Sequence, residues 1–143
     1  MTATDDQAAA LRAQLAGDYD EHRRLLAGLD ARGALADYTA LVTAAFIEAV
    51  DRRLGPWHRD DATVSAFISE VRSRFPGAED EINPATAERV VRKALGRGSV
   101  SDIDGPAIRR TQMLLLSVMV ADEHYSGEGL DLFLAAARKL LDR

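Results

Sequence analysis

The chain has 143 residues, 47% of them hydrophobic, and no cysteine. A chain of this length buries about 70% of its unfolded surface without a covalent staple, and the missing cysteines exclude a disulfide framework, a thiolate nucleophile and a cysteine-built zinc site. Its 23 acidic and 18 basic residues give a net charge of -5 and are interleaved along the sequence, which argues against a nucleic-acid partner, because a phosphate binder gathers its bases on one face or segment.

The opening Met1 to Asp6 is acidic and lacks the basic start and apolar stretch of a secretory signal, so the expected location is the cytoplasm. Lysine occurs only as Lys93 and Lys139 while alanine is abundant, a composition that points to a GC-rich bacterial genome. In Thr4-Asp5-Asp6 a helix N-cap is followed by acids that suit the helix dipole. Leu11, Leu15, Tyr19, His22, Leu26 and Leu29 then recur at helical spacing, which predicts one amphipathic helix from Asp5 to about Ala27, with Gly28 and Gly33 bracketing a turn.

A second helix is expected from Ala34 to Leu54. Leu35, Tyr38, Val42, Phe46, Ala49 and Val50 form a bulky face, and Ala36, Ala40, Thr43, Ala44 and Ile47 form a smaller one suited to close packing. Residues 39–50 resemble the first helix of tetracycline-repressor-type regulators. The recognition helix that should follow is not recognisable in residues 60–75, and no functional residue carries over.

Gly55-Pro56 ends the second helix, and Trp57-His58-Arg59 forms a loop. Asp60 caps a third helix with the stripe Val64, Phe67, Ile68, Val71 and Phe75, closed by Pro76-Gly77. Residues 78–83 read as a polar loop. Asn83-Pro84 then starts a fourth helix that buries Ala87, Val90, Val91, Ala94 and Leu95 before Gly96. After the linker 96–101, Asp102 or Asp104 caps a fifth helix reaching His124.

Within the fifth helix the run Met113 to Ala121 is apolar on every side and predicts a helix with almost no solvent face. It is too short to span a bilayer, which takes about 20 apolar residues, and charges close it at both ends. Ser126 begins a sixth helix with the face Leu130, Phe133, Leu134, Ala137, Leu140 and Leu141, leaving Leu132 off the stripe. No segment alternates in the manner of a strand. The expectation is an all-α, single-domain bundle over residues 1–143, of about six helices with the second and fifth central.

Catalytic vocabulary is sparse. The chain has no Gly-x-Ser-x-Gly elbow, and Gly96-x-Gly98 is too short for a phosphate loop. His22, His58 and His124 each lie near carboxylates, and Asp18 and His22 share a helix face. Paired Glu-x-x-His and His-Glu-x-x-His spacings are both missing, so neither a metal site nor a cofactor is expected. The doublets Arg52-Arg53 and Arg109-Arg110 could cradle an anion but have acids beside them, which suggests salt-bridged or solvated side chains.

The leading expectation is a non-enzymatic association or regulatory module, a homo-oligomer or protein-partner binder that needs no membrane, with Trp57, His58 and Leu132 as the interaction surface. The alternative is a small-molecule-binding or enzymatic bundle with a pocket between the first, second and fifth helices, lined by Tyr19, His22, Tyr38 and Gln112.

Overall fold

A computed structural model describes residues 4–31, 33–55, 60–74 and 77–142. These residues form α1 (Asp5–Leu15), α2 (Tyr19–Ala31), α3 (Leu35–Leu54), α4 (Asp61–Arg74), the single turn α5 (Ala78–Glu81), α6 (Pro84–Ala94), α7 (Gly105–Glu123) and α8 (Gly127–Leu141). The fold is all-helical, with no strand among the described residues. None of the described helices is long and apolar enough to cross a membrane.

Local chemistry starts these helices where the caps are. The Thr4 hydroxyl accepts from the Gln7 amide while the Gln7 side chain accepts from the Thr4 amide, a reciprocal capping box. Asp60, Asn83, Asp104 and Ser126 accept from the backbone three residues on. Of the two aspartates considered for the start of the fifth predicted helix, Asp104 is therefore the cap. Asp102 instead binds Arg89, which also donates to the Ser99 carbonyl at 2.7 Å and so pins the 96–101 linker.

The predicted first helix is two helices. Gly17 takes a left-handed conformation (φ 83°), the Asp18 amide donates to the Ala13 carbonyl at 2.9 Å and the Gly17 amide to Gln14, so α1 ends in a Schellman turn. The chain then reverses into α2, whose His22 ring meets the Ala10 carbonyl. Gly28, expected in a turn, lies inside α2. The second difference is α5, a helical turn in the expected polar loop, after which Ile82 is buried.

Ion pairs and hydrogen bonds fix how the helices run. Thr43 reaches Gln112 and Arg53 reaches Asp122, both across 69 residues, so α3 and α7 lie parallel. Arg12 pairs with Asp131 and Arg138 with Asp5, which sets α1 antiparallel to α8. Ser65 bonds Glu88 and Arg92 pairs with Asp61, setting α4 antiparallel to α6. Helix α3 packs against α1, α2, α6, α7 and α8, while α7 packs against α3, α6 and α1. The buried side chains form one hydrophobic cluster around Leu11, Leu41, Phe46, Ile68, Leu115, Leu116 and Phe133.

Helix α7 departs from its expected all-round burial. Thr111, Gln112, Leu115, Leu116, Met119 and Val120 are buried, but Met113, Leu114, Ser117 and Val118 are only partly covered, because its neighbours pack on one side.

Candidate functional site

The residues expected to line a pocket divide into three places. His22 and Tyr38 come together, with ring centroids 6.2 Å apart. The His22 Nδ1 lies 2.8 Å from the Ala10 carbonyl; because a carbonyl only accepts, Nδ1 carries a proton and donates. Tyr38 is 7% exposed and its hydroxyl is buried without a hydrogen-bond partner among the described residues. Burial pushes its pKa up to about 12, since the phenolate would lose its water.

Tyr19 does not join them, for it is 57% exposed on the outer side of α2. Sequence spacing had put it on the stripe of a continuous helix, and the turn at Gly17 rotates it away. Gln112 belongs to the α3–α7 contact, where its Oε1 accepts from the Thr43 hydroxyl at 3.3 Å. Trp57 and His58 lie outside the described residues. His124 caps α7 in a left-handed conformation (φ 52°) and is exposed. Among the described residues no three or more histidines and carboxylates are grouped to hold a metal ion.

At the end of the bundle formed by α3, α4 and α7, the Asp122 carboxylate accepts from Arg53 at 2.9 Å and from Arg74, tying the three helices together. Burial acts to raise the Asp122 pKa, but hydrogen bonds from Arg74 and Arg53 and their charges outweigh it and hold the carboxyl below its ordinary value. Arg53 also lies over the Phe67 ring, and Arg52 lies over Phe133 while bonding Glu48 and the Tyr125 hydroxyl. The first arginine doublet is thus used up in packing.

The second doublet is not. Among the described residues Arg109 and Arg110 have no hydrogen-bond or ion-pair partner, whereas every other described arginine has one. The acids that precede the doublet are engaged elsewhere, Asp102 with Arg89 and Asp104 with the α7 cap. Arg110 stands at the edge of an open groove of about 530 Å³ lined also by Met113 and Leu114 of α7 and by Asp80 and Glu81 of α5. A second concavity, of about 350 Å³ near Arg12, His124 and Ser126, offers less. There Arg12 is held by Asp131 and the Ser126 hydroxyl by the Gly129 amide.

A further apolar feature outside the core is Leu132, 64% exposed on α8. Glu128, Leu132, Ala135 and Lys139 recur at helical spacing and are all exposed, so they form one outward stripe that is acidic at its start, apolar in the middle and basic at its end.

No protein-family model matches this chain, and no curated protein or solved structure matches it either. The site therefore has to be read from its own chemistry. Among the described residues, the α5–α7 groove and the α8 stripe each carry apolar side chains beside unengaged charges.

Proposed function

We propose that this chain is a non-enzymatic helical domain of the cytoplasm, with α3 and α7 as its inner pair, that works by association with protein, itself included. The observation that carries the reading is Leu132, a leucine that stays 64% exposed in a stripe whose charged ends, Glu128 and Lys139, make no ion pair among the described residues. Burying a leucine side chain in full contributes about 1.5–3 kcal/mol, so covering the 64% of Leu132 still exposed contributes about 1–2 kcal/mol and changes a dissociation constant by about five- to thirtyfold.

The test is sedimentation velocity across a wide concentration range, with far-UV circular dichroism on the same samples. Leu132→Asp should weaken self-association at least tenfold and leave the helical signal unchanged, since the residue lies outside the core. A parent protein that remains monomeric at the highest concentration, or a variant that sediments as the parent does, refutes self-association through α8.

A second reading, a small-molecule pocket beside His22 and Tyr38, draws support from the orphaned Tyr38 hydroxyl. A ligand bound there should raise the melting temperature of the parent and not that of Tyr38→Phe.

A further inference from the structure

The association reading leaves open what covers the α8 stripe, and the charges and apolar groups on the two surfaces supply an answer. Along α8, Leu132 lies about 6 Å beyond Glu128 and Lys139 about 16 Å beyond it, at 1.5 Å rise per residue. The stripe therefore presents an acid, a leucine with the small Ala135 beside it, and then a base. The α5–α7 groove carries the complementary set: Arg110, Met113 and Leu114 from α7, and Asp80 and Glu81 from α5.

None of these five charged side chains has an ion-pair partner among the described residues of the protomer. A helix laid in a groove with its apolar anchors on the floor and its charges against opposite charges is a recurrent mode of peptide recognition. A phosphate or another free anion is a poorer fit to the groove, because Asp80 and Glu81 face the same space as Arg110 and the α7 N-terminus already holds Asp104.

We infer that the α5–α7 groove of one copy receives the α8 stripe of a second copy, with Leu132 on Met113 and Leu114, Glu128 toward Arg110, and Lys139 toward Asp80 and Glu81. This rests on the association reading and names its second surface. The contact is heterologous: it joins two different patches, so it either closes when a second copy returns the exchange or continues head to tail. Leu132 supplies most of the affinity, and the exposed charge pairs set orientation and register.

The experiment uses the full chain and three variants, Leu132→Asp, Arg110→Glu and the double variant Arg110→Glu with Glu128→Arg, followed by sedimentation and native mass spectrometry. Every substituted position is exposed in the protomer, and circular dichroism checks that helix content is kept. Arg110→Glu should weaken association several-fold at low salt, and the double variant should recover most of that loss. Leu132→Asp keeps an intact groove while Arg110→Glu keeps an intact stripe. Leu132→Asp should be largely monomeric alone and Arg110→Glu only weakened, and in an equimolar mixture Leu132→Asp should be recruited into mixed dimers with Arg110→Glu.

If Leu132→Asp disrupts the parent assembly but Arg110→Glu assembles as the parent does, the groove is not the receptor and only the present inference falls. A parent chain that is monomeric throughout overturns both this inference and self-association, and leaves the groove to an unrelated protein.

Discussion

Replacing Tyr38 by phenylalanine takes one oxygen out of the core, and its effect can be worked out from what surrounds that oxygen. The residue is 7% exposed and its hydroxyl meets no acceptor or donor among the described residues. A buried polar group left without a partner costs about 1–3 kcal/mol, and phenylalanine recovers this less a small penalty for the vacated space. We expect a net gain of about 1 kcal/mol, or about 3 °C in melting temperature for a chain of this length.

Alkaline pH gives a second readout of the same group. Burial raises the Tyr38 pKa from its ordinary 10.0 to about 12. The folded state then keeps its proton where the unfolded state has lost it. Tyr38 therefore contributes its full stability below about pH 10, and that contribution falls by about 1.4 kcal/mol per pH unit as the pH rises toward the folded value, close to 3 kcal/mol in all. Urea unfolding of parent and variant, at neutral pH and in steps to strongly alkaline pH, should show the variant more stable at neutrality and less sensitive to alkali. A variant that is instead destabilised by 1 kcal/mol or more would show that the hydroxyl is bonded in solution, and would shift weight to the ligand reading.

Two further predictions concern the end of α7. His124→Gly relieves a left-handed backbone that a Cβ disfavours (φ 52°); after the flexibility glycine adds to the unfolded chain, it should raise stability by about 0.5–1 kcal/mol in chemical denaturation. Asp122→Ala removes the acceptor shared by Arg53 and Arg74, and should cost about 1–2 kcal/mol. Because the Asp122 pKa is held below its ordinary value, the contribution of this group is present above about pH 4 and is lost as the pH falls through the lowered value. The parent should therefore lose part of its advantage over Asp122→Ala in acid, as followed by urea titration, whereas an equal gap at all acid pH values would contradict the ion-pair account.

The starts of most helices, the apolar stripes of α6 and α8, and that of α4 from Val64 to Val71 were legible in the sequence because they are local, while Phe75 of the predicted stripe lies outside the described residues. An N-cap such as Thr4, Asn83, Asp104 or Ser126 acts on an amide three residues away, and a stripe is set by the helical repeat alone. The break between α1 and α2 was hidden for the same reason: Leu15, Tyr19 and His22 keep a helical period across Gly17, and periodicity does not register a reversal that preserves it. That one turn moved Tyr19 to the surface while the antiparallel return of α2 carried His22 to Tyr38.

Tertiary structure alone decided which charges were used. Asp102 and Asp104 precede Arg109 and Arg110 in the chain, and proximity in sequence suggested that they would pair. Asp102 went to Arg89 and Asp104 to the helix cap, leaving the doublet unengaged beside an apolar groove. The partly open side of α7 was beyond the sequence too, because a helix that is apolar all round says how much surface it needs covered and nothing about which neighbours will cover it. Composition and spacing thus settled the all-helical class, most of the caps and several of the stripes, which depend on residues within a turn or two of one another. The placement of Leu132, Arg110 and the acids of α5 depended on how those helices pack, which is a property of the whole chain.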